Sequence, residues 1–159
     1  MNWMVIDLEL KMKLMDGAPL PKHAKPGDAG LDLTTRENAT LFPGETKMVG
    51  TGVAVEIPEG YFGLLAPRSG LASKCGITFA NTPGIIDSGY RGEIKVPLRN
   101  INHPKDDRWI YEDDIVRVER GERVCQLIIL PCVTCECVQV DELSETERGD
   151  DGFGSTGSK

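Results

Sequence analysis

Apolar and polar residues alternate along much of this chain with a period of two, the signature of strands with one buried face. Near the N-terminus Met4, Ile6, Leu8, Leu10, Met12 and Leu14 alternate with Asp7, Glu9, Lys11 and Lys13, which predicts a strand within Met1–Met15. The same alternation marks Glu93–Arg99, with Ile94, Val96 and Leu98 on one face. Cys125–Leu130 is an almost unbroken apolar run, as in a strand covered on both sides. Val53–Ile57 and Tyr61–Ala66 flank the turn residues Pro58, Glu59 and Gly60, and this arrangement predicts a hairpin.

No stretch sustains a helical period, and the single short helix expected lies at Ser69–Lys74. Asn100–Asp114 is polar and charged around Trp109 and Tyr111 and reads as a surface excursion between strands. From Arg148 onward, Gly149, Gly152, Gly154 and Gly157 accompany Phe153 as the sole apolar anchor. Such a segment buries too little to offset its ordering entropy, so it is expected to stay mobile until something binds it. The expected architecture is all-β, a jelly-roll-like barrel or sandwich with one short helix and a mobile C-terminal tail. Its division is a β domain over residues 1–147 and a flexible segment over 148–159.

Composition sharpens this picture only in places. A chain of 159 residues accommodates one domain with a real core, and Gly 18 with Pro 10 suits a turn-rich β protein. The net charge of -7 argues against coating nucleic acid or an anionic membrane, which rests on clustered Lys and Arg. It leaves room for a small anionic ligand, because a few arginines and a bound Mg²⁺ set the field inside a cleft. The N-terminal alternation is neither a signal peptide nor a membrane span, so a cytoplasmic location with reduced thiols is expected for the five cysteines. Cys132, Cys135 and Cys137 cluster, but Zn²⁺ wants four ligands and the histidines are only His23 and His103. Buried or half-buried strand thiols are the favoured reading.

Five glycine-punctuated segments combine backbone freedom with fixed polar groups. They are Asp28-Ala-Gly-Leu-Asp-Leu33, Pro67-Arg-Ser-Gly-Leu-Ala72, Gly84-Ile-Ile-Asp-Ser-Gly-Tyr-Arg-Gly-Glu93, Gly121-Glu-Arg-Val-Cys-Gln-Leu127 and Arg148-Gly-Asp-Asp-Gly-Phe-Gly-Ser-Thr-Gly157. Singly, each is explained as a turn, a helix start, a hairpin loop or a frayed end. Together, in this order and spacing, they resemble the five motifs of the homotrimeric dUTPase family, and the resemblance runs from Ala24 to Gly157.

That resemblance implies hydrolysis of dUTP to dUMP and pyrophosphate by attack of water on the α-phosphorus. It thereby keeps uracil out of DNA and supplies dUMP for thymidylate synthesis. Asp87 matches the aspartate that holds the 3′-hydroxyl and orients the attacking water, and a carboxylate is a reasonable general base. Arg68, forking onto phosphate oxygens, and Gln126, reaching phosphate and water, complete the catalytic set. Ser69 and Gly70 match the phosphate grip at a helix start. Asn81 and the backbone from Gly84 to Ile86 match a hairpin that reads the uracil edge, and Tyr90 lies under the deoxyribose and excludes a 2′-hydroxyl. Asp32 resembles the acidic position that meets Mg²⁺ through water, the metal arriving with the substrate phosphates. Arg148, Phe153, Gly154, Ser155 and Thr156 form a lid, Phe153 stacking on uracil while the others wrap the phosphates. The family builds each site from three subunits, so a homotrimer is implied, with the tail closing over a neighbour's site.

Departures are few: Cys125 stands where alanine is common, and the 100–114 excursion is long enough to serve an unknown protein partner. A dCTP deaminase on the same fold and a non-enzymatic, nucleotide-gated regulator are the rival readings. The complete tail and the Ile86–Tyr90 pocket weigh against the first, and the intact Asp87, Arg68 and Gln126 set against the second.

Overall fold

The computed structural model describes residues 8–15, 17–104 and 111–150. Among the described residues eleven strands follow one another: β1 (Lys11–Leu14), β2 (Leu31–Thr34), β3 (Ala39–Leu41), β4 (Thr46–Gly50), β5 (Val53–Glu56) and β6 (Tyr61–Pro67) precede the helix α1 (Ser69–Cys75). Then come β7 (Ile77–Phe79), β8 (Gly84–Ile86), β9 (Lys95–Asn100), β10 (Val116–Val118) and β11 (Arg123–Pro131). They form antiparallel sheets ordered β2-β11-β6-β8 and β4-β9-β7, with two smaller pairs, β1-β5 and β10-β3. The expected all-β, jelly-roll-like sandwich with one short helix is the fold observed.

Alternation does what the sequence predicts. Ile94, Val96 and Leu98 are fully buried while Lys95 and Arg99 face out, and Leu8, Leu10 and Met12 are half-buried between exposed Glu9, Lys11 and Lys13. Inward side chains of both large sheets, among them Leu33, Val49, Ile77 and Leu127, pack into one core. α1 ends where Gly76 takes the left-handed conformation at φ 65°, and a Cβ there would also strike the Asn102 amide at 2.0 Å. The N-terminal strand is shorter than expected, and its predicted start at residues 1–7 lies outside the described residues.

The hairpin expected across Pro58–Gly60 does not form. Both strands exist, but β5 pairs with β1 and β6 pairs with β11 and β8. The turn, closed by the Tyr61 N–H on the Pro58 carbonyl at 3.2 Å with Gly60 at φ 82°, passes the chain from one sheet to another. The long β11 is the reason: it offers β6 seven consecutive partners, from Cys125↔Pro67 to Pro131↔Tyr61. Likewise β8 and β9 share no ladder, so the Gly84–Glu93 segment is a loop between sheets rather than a paired hairpin.

Two further expectations change. The excursion is not wholly a surface feature, since its ends are buried. The Asn100 side-chain amide donates to the carbonyls of Leu41 (3.0 Å) and Asp114 (2.8 Å), and an Asp114 carboxylate oxygen accepts from the Tyr111 N–H (3.0 Å). Residues 105–110 between them lie outside the described residues. Cys132, Cys135 and Cys137 are exposed and follow the end of β11, so they are not strand thiols. Cys125 is the buried one; burial, aided by the charge of Asp32, pushes its thiol up to about 12. No group of three metal-ligating side chains occurs among the described residues.

Candidate functional site

β11 is the strand that gathers the first, second and fourth segments. Gln126 stands opposite Asp32 of β2 on one side and Ala66 of β6 on the other, and β6 leads at once into Arg68 and α1. This register makes Asp32 a junction. One carboxylate oxygen forms an ion pair with Arg68 Nε at 3.2 Å and accepts from Gln126 Nε2 at 3.4 Å. The other accepts from Arg123 Nη1 at 3.1 Å. The Asp32 side chain is only 9 % exposed, so these pairs are shielded better than surface ion pairs. Gly30 belongs to the same packing: a Cβ there would lie 3.0 Å from Gln126 Cβ, so a side chain would press directly on the glutamine.

The ion pair at Nε leaves the terminal nitrogens of the Arg68 guanidinium available as a fork of donors for an anion. Ser69 and Gly70 follow as the first residues of α1, both exposed, where helix N–H groups have no intrahelical acceptor. Arg68, Ser69, Gly70, Asp32 and Gln126 thus come together as a site suited to a polyanion. Arg123 is the member of this group that sequence reasoning left without a role. Its place three residues before Gln126 was visible, but its pairing with Asp32 depends on a register irregularity between Arg123 and Cys125.

The third segment forms a separate cleft of about 370 Å³, lined by Asn81, Gly84, Ile86, Asp87 and Tyr90 together with Met48 of β4. Gly84 is buried, with room for little more than hydrogen because a Cβ would stand 3.2 Å from that of Leu65. Asp87 and Asn81 are exposed at the rim. Tyr90 closes a turn by donating its N–H to the Asp87 carbonyl at 3.0 Å and its hydroxyl to the Glu93 carbonyl at 2.9 Å. Met48 and Glu93 were not singled out from the sequence, since neither alternation nor spacing shows which neighbouring strand walls a loop.

No hydrogen bond among the described residues joins this cleft to the Asp32 group. The structure brings the candidate residues together as two half-sites. Arg148 lies on the exposed segment after β11, while Phe153, Gly154, Ser155 and Thr156 lie outside the described residues.

Comparisons with known proteins show the family to which the chain is similar. The dUTPase family profile matches residues 16–157. The deoxyuridine 5′-triphosphate nucleotidohydrolase of Nocardia farcinica is 50 % identical over 145 residues, covering 91 % of this chain and 82 % of its own. That of Thermobifida fusca is 49 % identical over 139 residues, covering 87 % and 73 %. Among solved structures, the dUTPase of Staphylococcus bacteriophage 80alpha with dUPNHPP superposes with a TM-score of 0.85 at 38 % identity, covering 94 % of this chain and 98 % of that one. A mutant dUTPase from phage phi11 of S. aureus, described for its structural Mg(II) ion, superposes at 0.77 with 31 % identity, covering 87 % and 100 %.

Proposed function

The chain belongs to the dUTPase family, and from that membership we propose how its residues divide the hydrolysis of dUTP to dUMP and pyrophosphate. The observation that carries the proposal is the Asp32 junction, which ties Arg68 and Gln126 to one carboxylate. Arg68 grips phosphate oxygens through its terminal nitrogens, and Ser69 and Gly70 add a hydroxyl and backbone N–H groups. Gln126, an uncharged donor and acceptor, serves both the phosphate and the water network.

Uracil enters the 370 Å³ cleft, where Asn81 and the backbone from Gly84 to Ile86 read its edge. Cytosine would set a donor against a backbone N–H, leaving buried polar groups unpaired, the costly kind of mismatch. Tyr90 supports the deoxyribose. Asp87, at the rim of this cleft, holds the 3′-hydroxyl and accepts a proton from the water that attacks the α-phosphorus in line.

Mg²⁺, when bound with the triphosphate, neutralises phosphate charge. Asp32 would meet it through water, its two oxygens being engaged with the guanidinium groups of Arg68 and Arg123 and the Gln126 amide. The separation of the two half-sites supports a homotrimer in which neighbouring copies face each other across one nucleotide. Residues 148–159 act as the lid beyond the 1–147 domain: Phe153 stacks on uracil, Arg148, Gly154, Ser155 and Thr156 wrap the phosphates, and bulk water is excluded. No described helix is long and apolar enough to cross a membrane.

Pyrophosphate release with Mg²⁺, compared for dUTP, dCTP, dTTP and UTP, tests the pocket: release confined to dUTP is expected, and equal release from dCTP or dTTP overturns the uracil reading.

A further inference from the structure

The loop from Asp87 to Glu93 is built around the ring of Tyr90, which is 44 % exposed and forms a wall of the nucleoside cleft. Its N–H is held by the Asp87 carbonyl and its hydroxyl by the Glu93 carbonyl. The Arg91 guanidinium donates to the carbonyls of Ser88 (2.6 Å) and Tyr90 (3.0 Å), which staples the turn from outside. The ring rests on Gly92. A Cβ at that position would stand 2.4 Å from the Tyr90 hydroxyl oxygen, 2.6 Å from Cζ and 3.0 Å from Cε2.

Gly92 does not have a left-handed φ, so its backbone conformation makes no demand for glycine. The ring alone makes that demand. The floor beneath is anchored: the Glu93 carboxylate, with a side chain only 10 % exposed, accepts from Arg36 Nε at 2.9 Å and from the Gly52 N–H at 2.9 Å. A methyl on Gly92 therefore moves the ring rather than the floor. Restoring ordinary contact displaces the end of the ring, and with it the hydroxyl that the Glu93 carbonyl holds.

We propose that Gly92 is a specificity-positioning residue, a notch that seats Tyr90 at the depth where its ring shuts out a ribose 2′-hydroxyl. The proposal rests on the reading of Tyr90 as the support of the sugar. Gly92 touches no substrate; it acts through the ring.

The test compares kcat/KM for dUTP and UTP in wild type, Gly92→Ala, Tyr90→Ala and the double variant. Gly92→Ala is expected to narrow the preference for dUTP at least tenfold, chiefly by lowering KM for UTP, since the displaced ring no longer shuts out the 2′-hydroxyl. The double variant is expected to narrow it no further than Tyr90→Ala alone, because the ring that feels the methyl is gone. A narrowed preference in Tyr90→Ala with an unchanged one in Gly92→Ala overturns the notch and leaves the Tyr90 reading standing. An unchanged preference in Tyr90→Ala removes the sugar reading itself, and the notch with it. Should Gly92→Ala fail to fold, recovery of folding in the double variant supports the ring contact, and failure of both overturns it.

Discussion

Replacing Asp32 by asparagine removes the one charge that two arginines share while keeping the shape of the side chain. Arg123 is 50 % exposed, so its pair contributes under about 1 kcal/mol. Arg68 is 27 % exposed and its ion pair with a carboxylate shielded to 9 % contributes about 1 kcal/mol, the hydrogen bond from Gln126 adding about 1 kcal/mol more. Asparagine keeps one acceptor but turns an amide NH₂ toward one of the arginines, a donor against a donor. The urea midpoint should therefore fall by the equivalent of about 2 kcal/mol with an unchanged slope. Turnover should suffer more, because Arg68 and Gln126 lose their common anchor. A drop of roughly 10–100-fold in kcat/KM is expected, one decade for each ~1.4 kcal/mol by which the transition state is held less tightly. Pyrophosphate release and urea unfolding, measured on the same preparation, read both quantities. Wild-type stability together with wild-type kcat/KM would refute the junction, and full recovery in excess Mg²⁺ would reduce Asp32 to a partner of the metal's water.

Asp87→Asn should leave nucleotide binding largely intact and lower kcat, since it removes a base rather than a phosphate ligand; unchanged kcat in a pyrophosphate assay takes Asp87 out of the mechanism. Truncation after Gly149 should cripple turnover without loosening the β domain, and a fully active truncated enzyme with an unaltered melting curve would refute the lid. The buried Cys125 thiol titrates near 12 instead of its ordinary 9.0. A group whose pKa is raised on folding contributes stability that is complete below the unfolded value and lost as pH climbs through the folded one, so Cys125→Ala should flatten the fall in stability between about pH 9 and 12. Native protein should also react with a thiol reagent at Cys75, Cys132, Cys135 and Cys137 and expose Cys125 only on unfolding, as quantitative thiol titration would show.

Strand identity was legible wherever one face is buried, because alternation reports burial directly: Ile94, Val96 and Leu98 needed nothing else. Pairing was not legible, because a strand's partner is chosen by the whole sheet. Pro58-Glu59-Gly60 is a good turn, yet β11 competes for β6 with seven partners and wins. The polar ends of the excursion misled for a similar reason: Asn100 and Asp114 look like surface residues, but each satisfies backbone groups inside the protein. The residue types of the site were legible from the five segments. Arg123, Gly30, Met48 and Glu93 were not, since their roles come from packing between strands distant in sequence.

Sheet geometry also bears on how many chains make one site. Asp32 and Gln126 sit on β2 and β11, while Gly84 and Ile86 sit on β8 at the opposite edge of the same sheet, in the order β2-β11-β6-β8. Three inter-strand steps of about 4.8 Å put about 14 Å between the edges, more than a side chain bridges. If the two half-sites close on one nucleotide only across neighbouring copies, then Asp87→Asn and Arg68→Ala, each inactive alone, should complement on mixing. In a ring of three, every mixed trimer then holds one site with both native residues. Random 1:1 exchange leaves about three quarters of trimers mixed, so about a quarter of all sites, and of wild-type activity, should return. The mixture is unfolded and refolded together, then assayed for pyrophosphate against each variant treated alone. Activity no higher than the average of the two variants would mean that one chain supplies both halves, and the shared-site reading would fall.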